Sequence, residues 1–552
     1  MKQYAIGVDF GTLSARAILI DEEGNQLAES VMDYPHGVLE HELPGGKKLA
    51  MDWALQVPND YIECLVHTVK TCVQQAGVAG DEVTGIGIDF TSCSVMPATL
   101  DGAPLCNLPQ YADEPHAYAK LWKHHAAQYC ADIVNEVAAE RKESWLPLYG
   151  GKLSSEWVIP KALQIVKEAP GVYEAMGRFI ECGDWVIWQL CGREVRSACN
   201  AGYKVQWRYD EGYPSNEFFA ALDPRMEHFT QEKLTPDIYP LGSVAGTLTP
   251  QMGKRLGLSA KTAVAVEIID AHASVPACGI ESPGKMLMAM GTSTCHLLLS
   301  ENEKAVPGVC GVVKDGILPG FYAYEAGQSC VGDHFSWFIE NCVPEKYTRE
   351  AKERGIGQHQ LLREKAQKQK PGESGLVALD WWNGVRSTLM DFDLSGVIVG
   401  LTLQTKPEEI YRALIEATAY GTRAIIEAFR AEGVAVDELY AGGGIARKDP
   451  MTMQIYADVC NCNIKISESG QSGAMGAAIL GLAAAAPDKD IREIVRNVGG
   501  ASDKTYSPKP ENVAVYESLF REYMLLYDYF GKGGNDVLHR LKKIRQKALQ
   551  DG

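Results

Sequence analysis

The chain lacks a Gly-x-x-x-x-Gly-Lys-Ser/Thr segment, the loop whose backbone amides wrap phosphates in P-loop NTPases, and that class is excluded. Asp9-Phe-Gly11 spells the magnesium-binding triplet of protein kinases, but that triplet belongs mid-chain after His-Arg-Asp, which is missing here, so a protein kinase is excluded as well. Positive charge is scarce: 53 Lys and Arg stand against 71 Asp and Glu, a formal net charge of −18. Without a broad basic face no nucleic-acid partner is expected, although small anions can be held locally. No Cys-x-x-Cys pair occurs among the 15 cysteines, and Cys460 and Cys462 are spaced wrongly for a zinc knuckle, so the cysteines read as small apolar filler. Adjacent His124 and His125 would point in different directions on a helix, which removes a joint metal site and leaves a polar contact from one of them. Long apolar runs are missing too: the longest uncharged small-and-apolar stretch, Ser472 to Pro487, is short of the roughly 20 residues a membrane span needs. Asp9 and Arg16 interrupt the only apolar stretch near the start, so no signal core is expected; the expectation is a cytoplasmic protein with reduced thiols and no membrane partner.

What is present is one passage written twice. Tyr4-Ala-Ile-Gly-Val-Asp-Phe-Gly-Thr-Leu-Ser-Ala-Arg-Ala-Ile-Leu-Ile-Asp21 and Lys285-Met-Leu-Met-Ala-Met-Gly-Thr-Ser-Thr-Cys-His-Leu-Leu-Leu-Ser300 both read as strand, Gly-Thr turn, strand. A glycine in each turn lets the backbone crowd a ligand. Two such hairpins facing one another would grip one polyphosphate. The length of 552 residues exceeds what one core serves, and two α/β domains of roughly 250 residues each follow.

Along the first half a third strand is expected near Ser30, a helix around Tyr61 to Gln75 and a strand over Val83 to Phe90, in the order β-β-β-α-β. Residues 105–240 are richer in aromatics and turn formers, with helical patterns at Trp157 to Ala169 and Asp184 to Leu190, and read as an insertion for acceptor recognition. Val264 to Asp270 reads as a strand, and the boundary is placed near residue 260, giving domains 1–260 and 261–552. In the second half Pro407 to Glu432 is an amphipathic helix with proline at its start, Glu438 to Ala446 a strand ending in three glycines, and Pro450 to Cys460 a helix. Ser469 to Gly481 starts as a turn and becomes a helix of small residues that lets another helix approach closely, a candidate hinge. The basic, amphipathic tail Val537 to Leu549 is expected to dock on its own domain.

Three charged residues stand out by their surroundings. Asp270 ends a β-branched strand in Ile-Ile-Asp-Ala-His, where it is either a helix cap or a general base; the base is the preferred reading. Lys204 has apolar and aromatic neighbours in Ala-Gly-Tyr-Lys-Val-Gln-Trp, so its side chain is expected to point into a cleft. Glu325 lies in an uncharged segment, Tyr-Ala-Tyr-Glu-Ala-Gly-Gln, where a carboxylate without a partner is costly and sugar hydroxyls would satisfy it.

These residues together resemble the FGGY carbohydrate kinases over nearly the whole chain. The first phosphate loop of that family corresponds to Asp9-Phe-Gly11-Thr12 with Ser14 and Arg16, the second to Gly291-Thr292-Ser-Thr294, and the adenosine loop to Gly442-Gly443-Gly444-Ile-Ala446. The family's carboxyl-half signature resembles Ser395-Gly-Val-Ile-Val-Gly-Leu401 followed by Glu409 and Ala413. The resemblance implies two actin-like (ribonuclease H-like) ATPase domains with a cleft between them, ATP and Mg²⁺ as cofactors, Asp9 as the metal holder and Asp270 as the base. Backbone amides of Gly291 and Thr292 would meet the γ-phosphate, and Gly443 and Gly444 the inner phosphates and nucleoside. Ser154 to Lys161, Arg196 to Lys204 and Glu325 to Gln328 look like the versions found in members acting on L-ribulose and differ from those in glycerol and xylulose kinases. By that resemblance Ser92, Lys204, Asp270 and Glu325 contact the sugar, and the reaction is phosphorylation at C5 in L-arabinose catabolism. Two positions depart from the family's pattern: His124 stands where many relatives carry Asp, and Glu267-Ile268 where a glycine is usual. The rivals are a kinase for D-ribulose, ribitol or L-xylulose, a catalytically silent nucleotide-binding regulator, and an actin-like or chaperone-like ATPase. The partners implied are a sugar and ATP, with a homodimer left open.

Overall fold

Tyr4 to Phe10 are buried almost without a break, the pattern of a strand covered on both faces. In the structure, a computed structural model describing residues 3–467 and 470–550, Tyr4–Phe10 is the centre of the first large sheet. Tyr4–Phe10, Ser14–Asp21 and Gln26–Asp33 form an antiparallel meander. The helix Pro58–Ala76 then crosses over and brings Val83–Phe90 back parallel to Tyr4–Phe10. The second large sheet repeats this plan. Gly284–Met290, Thr294–Ser300 and Tyr322–Gln328 form the meander, and Val436–Gly442 returns parallel to Gly284–Met290 after the helix Pro407–Ala431. Both duplicated hairpins are present, each at the centre of its own sheet.

Between the two lies the insertion, with a small sheet of Leu55–Gln56, Ala119–Lys120, Val95–Ala98 and Arg178–Glu181 and a set of helices that includes Val158–Glu168, Cys182–Cys191 and Ala198–Val205. All fifteen cysteines are free thiols and only Cys342 is exposed. Among the described residues no helix is long and apolar enough to cross a membrane.

The boundary expected near residue 260 falls inside the first sheet. Ala263–Ala265 and Ile268–Ile269 both pair parallel with Val83–Phe90, so that sheet closes only at Ile269. The single strand expected over Val264 to Asp270 is broken at Val266-Glu267, and Asp270 opens the helix Asp270–Ala277. The small-residue helix Ser472–Ala485 also packs against the first sheet, although it comes from the second half of the chain; Ser469 lies outside the described residues. A Cβ at Gly85 or Gly87 would collide with the carbonyls of Gly481 and Ala477, and one at Gly476 with the carbonyl of Ala273. Small residues on both sides thus let the helix lie backbone to backbone against the sheet and against Asp270–Ala277. The carboxyl-terminal helix Val537–Gln550 docks on its own chain: His539 Nε2 lies 2.8 Å from Asp391 Oδ2, and Lys542 Nζ lies 2.8 Å from both Asp393 Oδ1 and the Phe392 carbonyl.

Candidate active site

Each central hairpin ends in a tight turn with an open amide at its tip. The Gly11 N–H donates to the Ser14 carbonyl at 3.0 Å, and the Gly291 N–H to the Ser293 carbonyl at 2.8 Å. No hydrogen bond engages the amides of Thr12 and Thr292 among the described residues. Both turns are pinned from behind. The Thr12 carbonyl accepts from Gln56 Nε2 at 2.8 Å and the Thr12 hydroxyl from Trp122 Nε1 at 3.2 Å; the Thr292 carbonyl accepts from the Val331 N–H at 2.8 Å. Rigid backing with a free donor is what a phosphate-binding turn requires. The third glycine turn abuts the second hairpin. Gly443 has φ +97°, and a Cβ there would collide with the carbonyl of Met290, so Gly442, Gly443 and Gly444 lie against the strand that leads into Gly291.

Carboxylates gather at the strand ends of the first sheet. Asp9 and Asp89 are direct partners in the parallel register of their strands and so share one face. Asp89 is fully buried and neither of its oxygens has a hydrogen-bond donor; burial first, then the charges of Asp9 and Asp270, raise its pKa well above the usual range. Asp9 is also raised by burial, offset in part by contact with Asp89 and by Arg16, whose Nη1 stands 3.7 Å away. Asp270 is the first residue of its helix, and its Oδ1 accepts from the Ala271 N–H at 2.7 Å. Its pKa is pushed up to about 7, mainly by burial and next by the charge on Asp9.

Asp270 faces a cavity of about 210 Å³ that also exposes Ser92, Lys204, Glu325 and Ser293. The four residues assigned to an acceptor therefore come together, and the second phosphate turn borders them through Ser293. Glycines 11 and 442–444 do not line this cavity. Glu325 does not wait for a ligand, contrary to the expectation for a lone carboxylate: Lys204 Nζ lies 3.1 Å from its Oε2 and His272 Nε2 3.4 Å away. Burial alone would raise the Glu325 pKa, but the Lys204 cation, helped by His272, holds it far below the usual carboxylate range. Burial likewise opposes charge on Lys204, and Glu325 more than restores it. The partners are separated by 121 positions in sequence, beyond reach of any local reading.

His124 is a core histidine. Its Nδ1 accepts from the Ala54 N–H at 3.3 Å, so Nε2 carries the proton toward Gln164 Oε1 at 2.9 Å. Sequence reasoning missed Asp89, His272 and Arg386. A signal existed for Asp89, because Asp-Phe closes both Val8-Asp9-Phe10 and Ile88-Asp89-Phe90, and the two phenylalanine rings stack at 5.0 Å. None existed for Arg386, which reaches the cavity from a distant loop.

Two meander-and-crossover sheets, with open hairpin amides and a raised carboxylate beside a cavity that also holds Lys204 and Glu325, describe a phosphotransferase of the actin-like ATPase type. The chain belongs to the FGGY family of carbohydrate kinases: the family's N-terminal domain model matches residues 4–275 and its C-terminal domain model residues 286–485. It is 55% identical over 539 residues to the ribulokinase of Bacillus licheniformis, covering 97% of this chain and 98% of that one. It is 54% identical over 549 residues to the ribulokinase of Halalkalibacterium halodurans, with 98% of each covered. Among solved structures, the xylulose kinase from Rhodospirillum rubrum superposes with a TM-score of 0.79 at 22% identity over 98% of this chain and 100% of that one. The Plasmodium falciparum glycerol kinase with ADP gives 0.73 at 18% over 95% and 98%. At those identities the structures speak for the fold alone.

Proposed function

We propose that the protein transfers the γ-phosphoryl group of ATP to the C5 hydroxyl of L-ribulose, giving L-ribulose 5-phosphate and ADP in the breakdown of L-arabinose. The substrate follows the full-length relatives named ribulokinase. The observation that carries the chemistry is the position of Asp270, a carboxylate raised to about 7 in a cavity bordered by the second phosphate turn. A base must lie within hydrogen-bond reach of the proton it removes and have a pKa near the working pH. Asp270 accepts the C5 hydroxyl proton as the oxygen–phosphorus bond forms. The open amides of Thr12 and Thr292 hold the phosphates, and Gly442 to Gly444 carry the nucleoside side of ATP. Lys204 and Glu325, already paired, offer fixed polar atoms to sugar hydroxyls, which costs less reordering than two mobile side chains. Closure of the two lobes expels water, which would otherwise compete as acceptor.

The floor beneath the first turn fits Mg²⁺. Asp9 retains 20% side-chain exposure and supplies a hard oxygen ligand, while Asp89, fully buried beside it with its pKa raised, would bear on the ion only through Asp9. Among the described residues no group of three or more His, Cys, Asp or Glu is arranged to hold a metal, so Asp9 would hold the ion together with nucleotide oxygens. Bound there, Mg²⁺ neutralises charge on the transferred phosphoryl group. The cytoplasm is the compartment that supplies ATP and keeps such thiols reduced.

Coupled ADP release with L-ribulose, D-ribulose, L-xylulose, D-xylulose, ribitol and glycerol tests the reading. L-Ribulose is expected to give the highest kcat/KM. ADP release equal with and without every polyol would reject acceptor phosphorylation.

A further inference from the structure

Arg386 is the cation in the cavity that forms no ion pair with a carboxylate among the described residues. Its backbone is clamped: Val385 and Asp391 exchange two N–H to carbonyl bonds of 2.8 Å, the Ser387 N–H donates to the Gly327 carbonyl at 3.0 Å, and the Gly327 N–H donates to the Ser387 hydroxyl at 3.1 Å. The side chain then runs across Gly327, where a Cβ would stand 3.1 Å from Arg386 Cδ and 3.4 Å from Nη1. That glycine is two residues beyond Glu325 on the same strand, so the guanidinium is delivered into the cavity shared with Asp270 and Lys204.

Three of the cavity's other donors already face a protein partner. Lys204 is committed to Glu325 at 3.1 Å, His272 Nε2 faces the same oxygen at 3.4 Å, and the Trp122 N–H is used on Thr12. Arg386 makes no ion pair within 4.0 Å and no hydrogen bond through its side chain among the described residues. Arg386 enters the cavity from the loop over Val385 to Asp391, and Asp270 enters it from the end of the first sheet. A hydroxyl can be satisfied by either a donor or an acceptor, and the cavity offers carboxylates for it. A ketone oxygen only accepts, and a guanidinium, which only donates, can meet it.

We propose that Arg386 binds the carbonyl-bearing end of a 2-ketose while Asp270 engages its far hydroxyl, and that this contact sets the preference for a ketopentose over the corresponding pentitol. The assignment rests on the sugar-kinase reading above. In Arg386→Gln the KM for L-ribulose rises by about tenfold or more, the loss of a charged hydrogen bond, while the KM for ribitol moves by less than about threefold and the KM for ATP stays unchanged, a separation that general loosening would not produce. Arg386→Lys keeps the charge and loses the fork; it falls between parent and Gln variant, and it carries the test alone if the Gln variant does not fold by its thermal melt. Equal changes for both acceptors, or no change for either, overturn the assignment even when the parent phosphorylates L-ribulose. A parent that neither binds L-ribulose by calorimetry nor phosphorylates it removes the sugar-kinase reading and this assignment together.

Discussion

The two lobes share a backbone plan and differ in what they place at the ends of their central strands. In the first, the partners Asp9 and Asp89 meet across the parallel register; in the second, the corresponding partners are Ala289 and Gly442. One hairpin is backed by two carboxylates and the other by two of the smallest residues. The same turn geometry therefore serves two tasks. Backbone amides alone suit an anion, and the uncharged strand ends of the second lobe let a phosphate and a nucleoside come close without repulsion. Carboxylates behind the first turn repel a bare phosphate and become useful only with a cation between them. Duplication supplied the grip, and divergence at two strand positions divided the labour.

The sharpest way to break this division is at Asp270, which follows the last strand of the first lobe's sheet yet serves the phosphate turn of the second. Asp270→Asn is expected to lower kcat by about 10²–10⁴-fold with sugar binding largely kept, read by single-turnover phosphorylation and calorimetry; a variant with full turnover refutes the base. Next in size is the ion pair that crosses between the halves. Glu325→Gln leaves the Lys204 cation buried and uncompensated, and a loss of about 3–5 kcal/mol in denaturant unfolding is expected. Gly443→Ala tests whether the second lobe depends on close backbone approach. The collision with Met290 and the positive φ should cost about 1–3 kcal/mol and raise the KM for ATP more than that for sugar.

The charge difference itself is sharpened by Asp89→Asn. If the first lobe is the metal side, half-maximal Mg²⁺ rises by about tenfold, and Mn²⁺ binding followed by electron paramagnetic resonance weakens in parallel; unchanged metal affinity would assign Asp89 to folding alone. The smallest effect is the pH dependence. Asp270 must be ionised to act, and its pKa is about 7, so kcat/KM falls as pH drops through 7, by about tenfold per unit well below it. A profile flat between pH 5.5 and 7.5 contradicts that assignment.

Much of this was legible in the chain. The duplicated hairpins, the helices expected over Tyr61 to Gln75, Trp157 to Ala169 and Pro450 to Cys460 and found over Pro58–Ala76, Val158–Glu168 and Pro450–Cys460, and the glycine turn at 442–444 follow from short-range rules, because apolar periodicity and glycine placement act within a few residues. Asp270, Lys204 and Glu325 were each conspicuous as charges in apolar surroundings. What escaped was their relation. Glu325 read as a carboxylate awaiting a ligand until Lys204, from the other half, proved to be its partner. The boundary near 260 failed for a similar reason: strands 263–265 and 268–269 are short, and only pairing with Val83–Phe90 shows which sheet owns them.

By itself the sequence determined which segments bend and which become strands, since these depend on local sterics and hydrogen bonding; the amide of Gly291, expected to meet a phosphate, is instead used on the Ser293 carbonyl, and that of Thr292 is the open one. Tertiary structure decided which charges meet. Asp9 with Asp89, Lys204 with Glu325, and Arg386 beside the cavity are brought together from positions far apart in the chain, and burial among them, rather than residue type, sets the protonation of Asp270. Electrostatics in a low-dielectric cleft depends on distance in space, and distance along the chain does not encode it.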